Sequence, residues 1–74
     1  MFEKLCDILE EFSGVSKDEM TLDSDILIDL SMNSIDVMEM VVVVEDTFSV
    51  SVPDRDIIKF RTIGDVVSYL EEII

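Results

Sequence analysis

The sequence contains no histidine and no tryptophan, a single cysteine, a single proline and two glycines. Without histidine there is no Ser–His or Cys–His nucleophile pair, no imidazole ligand for zinc and no imidazole general base. Cys6 has no partner for an internal disulfide, and one thiol does not build a structural zinc site, so a reducing compartment is the expected setting. Long apolar runs are missing too. The longest extends only from Met40 to Val44, far short of the roughly 20 residues that cross a bilayer. The first residues, MFEKLCDILEEF, are acidic and amphipathic, unlike a signal peptide. A soluble, cytoplasmic protein is expected.

Cations are scarce as well. Five Lys and Arg stand against eighteen Asp and Glu, for a formal net charge of −13. Such a field repels nucleic-acid phosphates and anionic membranes, so neither is an expected partner. Between Asp18 and Asp54 there are ten acidic residues and no basic one. A run of this kind serves as a solvated face or as a surface for a cationic partner. It does not form an EF-hand. A loop begun at Asp23 puts Ile28 at the glycine position and Ser34 at the final glutamate, and one begun at Asp54 needs Lys59 for the glycine.

What is present is a folding chain. The hydrophobic fraction is 49%, and 74 residues make one domain, 1–74, with one modest core. Size scaling predicts a folded surface of roughly 4,600 Å² against about 12,000 Å² unfolded. Phe2, Leu5, Cys6, Leu9 and Phe12 recur at helical spacing, and Gly14 follows as a C-terminal stop. Cys6 lies on this apolar stripe and reads as an inert core thiol. Ser16 and Glu19 have capping-box spacing, enough for a short turn. Residues 20–32 follow no single period and read as a long ordered loop over the core.

A second helix is predicted from Asn33 or Ser34 to Phe48, with Asn33 as N-cap and Asp36 as its capping-box partner. Val50 to Val52 reads as extended. Pro53 then suits the first position of one or two helical turns ending by Phe60. Thr62, supported by Asp65, caps a last helix with the stripe Ile63, Val66, Val67, Leu70 and Ile73 or Ile74. The fold class is all-α: a four-helix bundle of three main helices and a short third one, with a long loop between the first two.

The second helix carries more apolar residues than one buried face needs. Val37, Met40, Val41, Val44 and Phe48 form the core stripe, while Ile35, Met38 and Val42 form another about 130° away. Either the helix is buried on most sides, or the second stripe is an exposed docking strip. Glu39, Glu45 and Asp46 along its edge favour the strip. Ser34 stands at the start of this helix. Serines are common there without any function, but an attached phosphate at such a position would also be stabilised by free N–H groups and the helix dipole. With no base in the chain, Ser34 could serve as an attachment point and not as a nucleophile in its own active site.

The stretch from Asp29 to Val41, Asp-Leu-Ser-Met-Asn-Ser-Ile-Asp-Val-Met-Glu-Met-Val, resembles the prosthetic-group site of acyl carrier proteins, Asp-Leu-Gly-x-Asp-Ser-Leu-Asp-x-x-Glu-Leu-Val. The likeness continues through Glu45 to Phe48, Val52 to Asp54, Thr62 to Val66 and Tyr69 to Glu71. It implies a non-enzymatic carrier whose 4'-phosphopantetheine arm is joined to Ser34 by a phosphopantetheinyl transferase using coenzyme A. The arm would carry acyl thioesters between enzymes of fatty-acid or polyketide synthesis that present basic docking patches, and the carrier would be a monomer. The family's partner surface matches Ile35, Asp36, Met38, Glu39, Val42, Glu45 and Asp46, and its acyl pocket matches Val41, Val44, Val52, Ile57, Phe60 and Val66. No catalytic or metal-binding residue is implied.

Three positions depart from the pattern: Asn33 for aspartate, Ser31 for glycine and Ile35 for leucine. Asn33 keeps the cap but loses a charge, so slower modification by a generic transferase is expected, as in a carrier specialised for a secondary pathway. Ile57 and Phe60 stand where many relatives have alanine and isoleucine, which predicts a shallower acyl pocket suited to short or polar cargo. A peptidyl-carrier Gly-Gly-His/Asp-Ser is absent. The rival reading is an acidic helical interaction or inhibitor protein without a prosthetic group.

Overall fold

The computed structural model describes all 74 residues. Four helices form the molecule: α1 (Phe2–Ser13), α2 (Ser34–Phe48), the single-turn α3 (Asp54–Ile57) and α4 (Ile63–Ile73). A 3₁₀ turn, Lys17–Glu19, interrupts the connection from α1 to α2. The accessible surface is 4607 Å², the value size scaling anticipates.

The helix ends follow the sequence signals. Gly14 closes α1 in the left-handed conformation, with φ 76°, and its N–H donates to the Glu10 carbonyl. Asn33 and Thr62 each cap through a reciprocal box with Asp36 and Asp65. Ser16 also caps its short turn, but its hydroxyl accepts from the Asp18 N–H, and no reciprocal Glu19 bond forms. Pro53 is the N-cap of α3 and not its first helical residue, because its ψ of 149° is extended. The third helix stops at Ile57, a turn shorter than the limit set by Phe60.

One core joins α1, α2 and α4. α1 contributes Leu5, Cys6, Ile8 and Leu9, and α2 contributes Val37, Met40, Val41 and Val44. α4 adds Ile63, Val66, Val67 and Leu70. Phe2, Phe12 and Phe48 pack only partly against this core, while Ile8 belongs to it. Ile73 and Ile74 are exposed, because the last turn of α4 runs past the core, so the predicted stripe ends at Leu70. Cys6 is buried and free. Desolvation first, then the carboxylates of Asp7 and Glu3, push its thiol pKa up, which makes it an inert thiol.

The long loop is ordered by burial. Met20, Ile26, Leu30 and Met32 all enter the core. Its backbone is pinned to the start of α4: Ile26 N–H donates to Arg61 O, Ile63 N–H to Ser24 O and Gly64 N–H to Leu22 O. Gly64 permits that last approach, since a Cβ there would lie 2.9 Å from the Leu22 carbonyl oxygen. Asp25 accepts from the Leu27 and Ile28 amides and pairs with Arg61 at 3.0 Å. These bonds, the Ile28 amide foremost and then Arg61, hold the Asp25 carboxyl below the usual range.

Candidate functional site

Ser34 is the first residue of α2 and is exposed. The capping box fixes the backbone on both sides of it: Asn33 Oδ1 accepts from Asp36 N–H at 2.8 Å, and Asp36 Oδ2 accepts from Asn33 N–H at 3.3 Å. The Asp36 amide is satisfied in this way, and the Val37 amide donates to Asn33 O. The amides of Ser34 and Ile35 have no protein acceptor, as the geometry of a helix start requires. They leave donors and the positive end of the helix dipole beside the Ser34 hydroxyl, a setting that accommodates a phosphate ester.

Just before this start the chain makes a tight turn. Ser31 has φ 54°, the left-handed region where glycine is at ease and a side chain is strained. The glycine-to-serine departure therefore falls on a position whose backbone suits glycine.

Along α2, Ile35, Met38 and Val42 are 68%, 54% and 57% exposed, so the second apolar stripe faces solvent and the helix is not buried on most sides. Glu39 and Asp46 on its edge are exposed and make no salt bridge. Asp36 and Glu45 are half-buried and have structural bonds. Asp36 belongs to the capping box, and Glu45 Oε2 accepts from Val52 N–H at 2.7 Å, which ties the chain after α2 back to the helix.

Two clefts separate α2 from α3. One, of about 390 Å³, opens beside Ser34 and is walled by Leu27, Val37, Ile57, Ile58 and Phe60. The other, of about 400 Å³, runs along the second apolar stripe past Ile35, Val41, Val42, Glu45 and Val52. Met38, Asp54 and Ile57 line both and stand between them. Of the six residues matched to an acyl pocket, Ile57 and Phe60 border the first cleft, and Val41, Val52 and Ile57 border the second. Val44 and Val66 are packed in the core and border neither. The periodicity reading missed Leu27 and Ile58. A signal existed, since three consecutive apolar residues, Ile26 to Ile28, cannot all turn inward from an extended loop.

α3 is itself lightly held. None of its residues is buried, and its main polar tie is the Tyr69 hydroxyl donating to Asp56 Oδ2 at 2.8 Å. Tyr69 also meets Phe60 edge-on, with ring centroids 5.3 Å apart. The shared proton lowers the Asp56 pKa and raises that of Tyr69.

An exposed serine at a capped helix start, an apolar cleft beside it and an acid-edged apolar strip together describe a carrier domain. The comparisons agree. The family described as "Phosphopantetheine attachment site" matches residues 3–70. The acyl carrier protein of Clostridium perfringens is 38% identical over 72 residues, covering 97% of this chain and 95% of the relative. The acyl carrier protein of Enterococcus faecalis superposes with a TM-score of 0.83 at 32% identity, over 96% of this chain and 90% of that one. A Mycobacterium tuberculosis structure reaches a TM-score of 0.90 at 19% identity, covering 99% and 97%, which is a likeness of fold.

The chain belongs to the acyl carrier proteins, of the fatty-acid and polyketide type, which bear acyl groups on a covalently attached 4'-phosphopantetheine. The alternative of an acidic helical protein lacking a prosthetic group is set aside by this membership. No helix is long and apolar enough to cross a membrane.

Proposed function

We propose that Ser34 is the attachment residue and that the single domain 1–74 acts as a non-catalytic, monomeric, cytoplasmic carrier. A phosphopantetheinyl transferase joins the Ser34 hydroxyl to the phosphopantetheine of coenzyme A, releasing adenosine 3',5'-bisphosphate. The terminal thiol of the attached group holds acyl chains as thioesters. The observation that carries this reading is the exposed Ser34 with two free amides at its helix start and an apolar cleft at its side. Intact mass after incubation with coenzyme A and transferase should show one added phosphopantetheine, and none in Ser34→Ala. Modification of that variant, or addition at Ser13, Ser16 or Ser31, would overturn the assignment.

Ile35, Asp36, Met38, Glu39, Val42, Glu45 and Asp46 form the partner surface in this reading, met by basic patches on the transferase and on synthesis enzymes. Exposure and the absence of salt bridges make Glu39 and Asp46 the clean test positions, whereas Glu45→Lys would also release Val52. Asn33 keeps its cap without a carboxylate, and Asn33→Asp should therefore speed modification by a generic transferase. A narrow pocket lined by Val41, Val52, Ile57 and Phe60, which would have to displace the core residues Val44 and Val66 to deepen, restricts cargo to short or polar acyl groups. The position of Ile57 between two clefts supports this. Thermal stabilisation by loaded chains should level off after a few carbons and extend further in Ile57→Ala.

A further inference from the structure

The sequence has five methionines, and the fold treats them unequally. Met20, Met32 and Met40 are sealed in the core. Met1 stands at the start of the chain, 39% exposed, and Met38 is 54% exposed on the face of α2. Cys6, the other sulfur-bearing residue, is buried, and burial pushes its thiol pKa up. Met38 is therefore the most accessible sulfur-bearing side chain of the protein. Its position is also singular. It is the middle member of the apolar strip, between Ile35 and Val42, and it stands with Asp54 and Ile57 in the wall shared by the two clefts. A thioether there is apolar and adaptable, whereas its sulfoxide is polar and chiral.

Resting on the carrier reading, we propose that Met38 is a reversible oxidation site that slows loading of the carrier when hydrogen peroxide is present. The thioether sulfur attacks one oxygen of the peroxide, the O–O bond breaks, and sulfoxide and water are the products. Sulfur gives up two electrons and the peroxide accepts them. A dithiol-dependent methionine sulfoxide reductase reverses the change: the sulfoxide oxygen leaves as water and the two thiols become a disulfide. Oxidation places an S=O acceptor at the centre of the strip, and the flanking Ile35 and Val42 side chains have no donor to offer it. Covering that oxygen with an apolar partner surface is costly. The three core methionines are out of reach until the protein opens, so the change falls on recognition and leaves the fold intact.

The test treats the apo-protein with hydrogen peroxide, destroys the excess, maps the oxidised residues by peptide mass and assays modification by the phosphopantetheinyl transferase of its own cell. Met38 and Met1 should each gain one oxygen while Met20, Met32 and Met40 remain thioethers. The KM for the carrier should rise about tenfold, the equivalent of about 1.4 kcal/mol, with the melting temperature unchanged. Treatment with the reductase should restore it. Met38→Leu is compared only with itself before and after peroxide, and its KM should not move although Met1 is oxidised. Met38→Gln should show a raised KM with no peroxide at all. Oxidation of a core methionine ahead of Met38, an unchanged KM in the oxidised protein, or an equal rise in oxidised Met38→Leu would overturn the inference. If the untreated protein takes no phosphopantetheine at Ser34, the carrier assignment falls and takes this inference with it. If it does, and oxidation leaves the KM unmoved, only this inference falls.

Discussion

The loop from Met20 to Asn33 and the helix α3 invert the usual relation between regular structure and order. The loop has no helix or strand, yet it buries four side chains and exchanges three backbone hydrogen bonds with the residues around the start of α4. α3 has regular geometry but buries none of its four residues, and it relies on Tyr69 and Asp56 for its polar attachment. A single helical turn cannot repay its own nucleation, so its stability is borrowed from its contacts. Order in this molecule follows burial and backbone pairing, and helicity alone does not supply it. The element left loosely held is the one that walls the Ser34 cleft.

The sharpest way to break the contrast is to empty the loop. Ile26→Ala should cost about 2–5 kcal/mol in urea unfolding, whereas Ile58→Ala in the α3 turn should cost no more than about 0.5 kcal/mol. Equal effects would mean that the loop is no better anchored than α3. Gly64→Ala comes next. In most helices this exchange stabilises by a few tenths to 1 kcal/mol. Here the added Cβ meets the Leu22 carbonyl, and a loss of about 1–3 kcal/mol is expected, with faster amide exchange at Leu22 and Ser24. A gain in stability would show that the loop is free to retreat.

Tyr69→Phe should lower stability less than either Ile26→Ala or Gly64→Ala and raise amide exchange chiefly in residues 54–60, leaving the loop unchanged. The same tie sets a pH window. Asp56 has a lowered folded pKa, so its contribution is present above the ordinary carboxyl range and is lost as acid protonates it. Tyr69 has a raised one, so its contribution is complete below pH 10 and is lost as base ionises it. Protection of α3 relative to the intrinsic exchange rate should therefore fall at both extremes in the native protein, and the alkaline loss should vanish in Tyr69→Phe. The loop should loosen only in acid, where Asp25 loses its charge. The smallest effect is expected at Ser31→Gly, which relieves a left-handed backbone and should add about 0.5–1 kcal/mol.

Much of this was legible in the sequence because the signals are local. Asn33 with Asp36, Thr62 with Asp65, and Gly14 act within a few residues, and each sits where its spacing placed it. The core stripe of α2 is a matter of period, and four of its five residues are buried. Exposure of Ile35, Met38 and Val42 could be argued from their acidic edge but was decided by the absence of any neighbour over that face.

Other features depend on what packs against what. Periodicity favoured Phe2 and Phe12 over Ile8, yet only the crossing of α1 with the rest of the bundle determines which side chains reach the centre. The buried stripe of α4 was overextended for a related reason: Ile73 and Ile74 continue the helical pattern where no core remains to cover them. The order of residues 20–33 is likewise tertiary, since its partners Arg61, Ile63 and Gly64 lie about forty residues downstream. Sequence alone determined the helices, their caps, the acidic field and the serine at the head of α2, because each depends on neighbours along the chain. Tertiary structure alone decided that two clefts flank Ile57 and which backbone partners hold the long loop, whose order the sequence had suggested. It also decided that Ile57 and Ile58 border Ser34's cleft, because such relations exist only once distant segments are brought together.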